Sequence, residues 1–243
     1  MSTEIYLGNP PENIKKWIEE NYKPAFKLTD PLCFTAEEAG STVTMLIKGS
    51  APTVYLETSP TGEEGSWTDF IAGTTTITLA NVGDKVYFRA KQDYQLFATN
   101  PANYNYFVMT GKIAASGNLN TLLKADGDIL DLTGANYCYA SMFSGCTSLT
   151  KAPALPATTL ANGCYYRMFI NCSSLTKAPE LPATTLAEYC YTYMFVGCTS
   201  LTQAPVLPAT TLVENCYNNM FESCTSLIKA SELSATTLAK YCC

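Results

Sequence analysis

Residues 136–161 read NYCYASMFSGCTSLTKAPALPATTLA, and the text returns over 162–187 as NGCYYRMFINCSSLTKAPELPATTLA. It returns again over 188–213 and 214–239, and KYCC at 240–243 opens a fifth unit. Cys138, Cys164, Cys190, Cys216 and Cys242 are therefore each 26 residues apart. Met142, Phe143 and Cys146 recur in the same register, so each becomes a column when units lie on one another. A unit this short cannot bury its own apolar face, whereas neighbours stacked on it can, which makes the repeat the unit of architecture.

On a helix of about 100° per residue, Cys138, Tyr139, Met142, Phe143 and Cys146 fall within one arc. The changing columns, 140/166/192/218, 141/167/193/219, 144/170/196/222 and 145/171/197/223, fall on the other side. The segment from Cys138 to Cys146 is thus expected to be a short amphipathic helix. The remainder, LTKAPALPATTLA, resists helix because Pro153 and Pro156 remove donors and Thr158 and Thr159 are β-branched. It reads as two short extended segments, with Leu149, Leu155 and Leu160 turned inward.

These residues resemble a known family. MFSGCTSLT is similar to the AFxxCxxLT signature of BspA-like leucine-rich repeat proteins, and TKAPALPATTLA sits where their short strands fall. The likeness spans residues 113–243, in a 26-residue variant. It implies adhesion, since members are surface adhesins of host-associated bacteria, and similar chains in gut phages and prophages place a β-rich domain before the repeats.

Before the repeats, alternating segments separated by turns, such as Glu38-Ala39-Gly40 and Val82-Gly83-Asp84, read as strands at the spacing of a small Ig-like sandwich. Pro10-Pro11-Glu12 opens an expected helix carrying Ile14, Trp17 and Ile18, docked on the sandwich or on another subunit. The fold class expected is therefore β-rich and mixed: an N-terminal helix, an Ig-like β-sandwich, then a leucine-rich-repeat-like solenoid of short strands and short helices. The divisions are 1–30 (helix or attachment segment), 31–112 (sandwich), 113–134 (connector and solenoid N-cap) and 135–243 (repeats).

Composition narrows the function. Histidine is absent, which removes the commonest general base and metal ligand. The formal charge of -6 offers phosphate no basic surface, so no nucleic acid is expected. No apolar run reaches the length of a membrane span, and residues 1–26 lack a signal-type apolar core. The 11 cysteines contain no CxxC pair, and a column of them cannot be disulfide-linked identically at every step. They are expected reduced and buried, with Cys242-Cys243 as the exception.

No catalytic constellation is present, so no enzyme and no cofactor or metal are expected. The repeats from Asn136 carry five bases and five acids, a neutral face suited to a host-surface glycan or protein. The candidate ligand-binding residues are Tyr166, Arg167, Tyr193, Asn218 and Asn219, from the exposed columns richest in aromatic and planar polar groups. The reading is a phage virion or fibre component, assembled in the cytoplasm, joined to other subunits through residues 1–112 and touching a cell surface with its repeats. A bacterial cell-surface adhesin and a ligand-free spacer are the alternatives, and homo-oligomerisation is left open.

Overall fold

The computed structural model describes residues 29–229, 231 and 233–243. The expected N-terminal helix lies outside them. Alternation builds the first part of the chain. In β2 (Ser41–Lys48) Ser41, Val43 and Met45 turn inward while Thr42, Thr44 and Leu46 are less buried. The other strands are β1 (Leu32–Ala36), β3 (Leu56–Ser59), β4 (Thr68–Phe70), β5 (Thr76–Leu79), β6 (Lys85–Ala90), β7 (Ala98–Asn100), β8 (Asn103–Thr110), β9 (Ile113–Ser116) and β10 (Leu149–Lys151).

Two sheets result, with orders β10-β9-β1-β6-β3-β4 and β5-β2-β8-β7. Phe34 of β1 and Phe88 of β6 meet Phe107 of β8 across the gap, with ring centroids 4.9 and 5.3 Å apart. Edge-to-face rings of this kind close a sandwich core. The two-sheet body takes in more chain than the expected sandwich: β9 lies beyond residue 112, and β10 comes from the first repeat and pairs with β9 in parallel.

The repeats correct the expected class. Among the described residues the only helix is a 3-10 turn at Leu119–Leu122, so no solenoid of short strands and short helices forms. Residues 136–145, 162–171, 188–197 and 214–223 are instead unbroken runs of turns. Even-numbered residues of the first run bond back three positions, as Met142 N–H does to Tyr139 O and Ser144 N–H to Ser141 O. Odd-numbered residues donate to the next layer: Tyr139 N–H to Cys164 O at 3.0 Å, Ser141 N–H to Tyr166 O at 2.8 Å and Phe143 N–H to Met168 O at 3.0 Å.

Every fourth residue is left-handed. Tyr137, Ser141 and Gly145 have φ of 57°, 59° and 74°, and Gly163, Arg167 and Asn171 repeat the pattern at 59°, 54° and 61°. A positive φ is what the third residue of a type II turn requires, and it interrupts any α-helix. The burial pattern survives the change of backbone. Cys138, Tyr139, Met142, Phe143 and Cys146 are all buried, because a four-residue period collects nearly the same side chains as a 3.6-residue one. In the second half of each unit the expected strands reduce to β10 and isolated parallel bridges such as Thr159 with Thr185 and Thr211 with Thr237.

The two-sheet body and the repeats share one core. Phe143, Phe169, Phe195 and Phe221 stack at 5.3, 5.6 and 5.7 Å, and Phe107 of β8 precedes them at 5.4 Å. Tyr139, Tyr165, Tyr191 and Tyr217 form a second ladder, preceded by Phe97 at 6.2 Å. Phe97 and Phe107 also donate their N–H groups to Cys138 O and Met142 O. The sheet edge thus supplies the layer beneath the first repeat.

Candidate binding face

The face expected to bind is built by the turn runs. In the left-handed column Ser141/Arg167/Tyr193/Asn219 the first three residues are pinned by an N–H donating to the layer above: Ser141 to Tyr166 O, Arg167 to Thr192 O and Tyr193 to Asn218 O. The column therefore climbs one layer per unit with a fixed backbone. Tyr166 and Tyr193 are half-buried and Arg167 is exposed.

Three of the expected residues come together. The Arg167 guanidinium carbon lies 5.1 Å from the Tyr166 ring centroid and 5.2 Å from that of Tyr193. The two rings stand 6.0 Å apart at 84° to one another. Both distances to the cation are within cation–π range, worth about 0.5–1 kcal/mol each at a surface. Burial pushes the Tyr166 phenol above its ordinary range, with the Arg167 charge opposing that shift. Among the described residues Arg167 has no carboxylate partner.

Asn218 and Asn219 are one layer further and turn to other groups. The Asn218 side chain donates to Asn215 Oδ1 at 2.9 Å, and that of Asn219 to Glu222 Oε2 at 2.8 Å. Their amides serve their own turn run and add no contact to the tyrosine–arginine group. The outward columns are also not outward in every layer. Ala140 is buried against Ala98 of β7 and Tyr104 of β8, Ser141 is buried beside it in the chain, and Thr192 is buried with its hydroxyl donating to Asn215 O.

Sequence reasoning missed the extension of this face towards the sheets. Tyr137 meets Tyr166 at 6.5 Å and 78°. Tyr106, Tyr137 and Tyr166 pack around a small apolar cluster of Ala98, Tyr104 and Ala140, and Lys48 Nζ lies 5.3 Å over the Tyr104 ring. Tyr137 was detectable, since it belongs to the column Tyr137/Gly163/Tyr189/Asn215, which is left-handed in each unit. Lys48 and Tyr106 had no signal in the repeats, because only folding brings β2 and β8 beside them.

A separate groove of about 430 Å³ runs between the second and third units, walled by Pro179, Pro182, Pro205 and Pro208 with Lys177 and Glu180 at its edge. It contains none of the expected site residues. No protein-family model, curated protein or solved structure matches the chain. What the face can do chemically follows from its groups: aromatic surfaces for apolar contact, phenol hydroxyls for hydrogen bonds, and a guanidinium already oriented by two rings.

Proposed function

We propose that the protein is a non-catalytic recognition component, a phage virion or fibre protein whose repeats contact a cell surface and whose residues 1–112 join it to a larger assembly. One observation carries the reading. Arg167 stands against both the Tyr166 and Tyr193 rings on the exposed side of a scaffold whose inward columns are consumed by packing. Oriented aromatic and arginine groups at a surface are the composition of binding hot spots. Ile47 and Ile71, which are 50% and 62% exposed on either side of the Gly73 turn, offer the two-sheet body apolar surface for contact with other subunits. The virion setting rests on the resemblance of the repeats to those of phage-borne chains.

The test is saturable binding of the labelled full chain to a panel of intact bacterial cells. A variant carrying both Tyr166→Ala and Tyr193→Asn is expected to lose at least tenfold in affinity while still melting in one cooperative transition. Absence of binding to every cell type, or equal binding by the folded variant, overturns the reading.

A further inference from the structure

The face that runs from Lys48 to Tyr193 crosses two parts of the fold. Lys48 stands over Tyr104, which meets Tyr106 at 5.4 Å. Tyr106 packs with Tyr137 and Tyr166 around one apolar cluster, and Arg167 stands against the rings of Tyr166 and Tyr193. Three properties of this band bear on what it takes.

The first is charge. The ion pairs among the described residues, Arg89 with Glu57 and Glu64, Lys91 with Asp69 and Lys124 with Asp126, all lie elsewhere. Lys48 and Arg167 have no acidic partner among the described residues. Two cations without an ion-pair partner on a chain of net charge -6 are each open to an acidic group of a ligand. The second is hydrogen bonding. Among the described residues the hydroxyls of Tyr137, Tyr166 and Tyr193 are bonded to no protein group, so each is free to donate and accept. The third is shape. Successive rings are nearly perpendicular, at 78° and 84°, and touch edge to face, so they offer ring faces and edges in alternation in place of a flat apolar sheet.

We infer that this composite face binds an acidic oligosaccharide, its sugar rings against the tyrosines and its carboxylates on Arg167 and Lys48. The inference rests on the recognition reading above and names the ligand class for that site. A sugar ring matches this surface because it has an apolar C–H face and a rim of hydroxyls, which the phenols can meet on both counts. A carboxylate matches Arg167 because the rings hold the planar fork in place, so little freedom is lost when it takes two parallel hydrogen bonds. The site is completed by the two-sheet body, since Lys48 and Tyr106 come from β2 and β8 and Tyr137, Tyr166, Arg167 and Tyr193 from the repeats.

The experiment is calorimetric titration of the full chain with three acidic probes: hyaluronan hexasaccharide, an oligogalacturonate and a sialyl-oligosaccharide, each beside its carboxyl-reduced form. Hexaglutamate is the peptide comparison. At least one acidic sugar should bind ten times more tightly than its carboxyl-reduced form and weaken as salt rises. Arg167→Asn should abolish that preference, and Arg167→Lys should keep part of it. Asn already occupies the same left-handed position as Asn219 in the fourth unit, so the variant keeps its turn, as an unchanged melting temperature will verify. Equal affinity for acidic and reduced forms in all three pairs, no binding to any of them, tighter binding of hexaglutamate, or an unaltered preference in Arg167→Asn each overturns the inference. Cell binding that survives blocking of surface sugar carboxylates sinks this inference alone, whereas failure to bind any cell sinks the recognition reading.

Discussion

Phe107 of β8 and Phe143 of the first repeat lie ring on ring, 5.4 Å apart and 16° from parallel, and the Cys146 thiol donates to the Phe107 carbonyl at 3.0 Å. The same relation recurs at each step above: Cys172 to Phe143 O, Cys198 to Phe169 O and Cys224 to Phe195 O, each at 3.1 Å. Phe107 is thus the lowest member of a ladder that otherwise belongs to the repeats. A stack needs its first layer closed, and here a sheet edge closes it.

Phe107→Ala is expected to cost about 3–5 kcal/mol, the range for truncating a buried aromatic side chain. Because one core joins the two parts, urea unfolding followed by near-ultraviolet circular dichroism and by tyrosine fluorescence should show both parts destabilised in one transition. Two separated transitions, with only the sheets affected, would contradict the shared layer.

The left-handed column makes a prediction about side-chain type. Tyr193 has φ of 57°, where a β-branched residue is strained by roughly 1–2 kcal/mol, while Asn tolerates that region. Tyr193→Val should therefore lower the thermal midpoint and Tyr193→Asn should leave it nearly unchanged. Gly163 adds a steric case, since a Cβ there would sit 2.3 Å from Tyr137 Cε1. Gly163→Ala should cost about 1–3 kcal/mol or displace the Tyr137 ring, detectable as lost stability or altered tyrosine fluorescence.

Alkaline pH should unfold the protein through its thiols. Burial pushes Cys146 and Cys198 from an ordinary value of 9.0 up to about 12, and Cys138, Cys164, Cys172 and Cys190 rise for the same reason. A raised folded-state value means the unfolded chain ionises first. The stability contribution is intact below pH 9 and is lost as pH climbs towards 12. Each fully buried thiol removes about 1.4 kcal/mol per pH unit over that window. Thermal midpoints measured from pH 7 upward should be flat and then fall steeply, and a flat profile to pH 11 would refute the buried-thiol account.

Thiol reactivity should follow exposure. Cys243 is exposed and Cys224 half-buried, whereas Cys33 and the remaining repeat cysteines are buried as free thiols. An aromatic disulfide reagent should label Cys243 first in the native protein, Cys224 after it, and all 11 thiols once urea unfolds the chain. Rapid labelling of Cys172 or Cys198 in the native state would show that the layers open readily.

The amino-acid sequence by itself determined the period, the ladders and the inward residues. Identity at a position across stacked units reports what each layer must bury, whatever path the backbone takes. It also placed Tyr166, Arg167 and Tyr193 on an outward face. The backbone path was decided only by the tertiary structure. Spacings of four, as in Cys138, Met142 and Cys146, fit a helix and a four-residue run of turns about equally. Which one forms depends on whether alternate N–H groups bond within the unit or to the layer above. One trace of the answer was legible: the left-handed columns hold Tyr, Gly, Asn, Ser and Arg but no Val, Ile or Thr, which appear one position away at Thr192, Ile170 and Val196. The closing of the stack by Phe97 and Phe107, and the joining of Lys48 and Tyr106 to the tyrosine–arginine face, had no such trace. Those contacts link residues far apart in the chain, and no repeat pattern connects them until the sheets and the layers share one core.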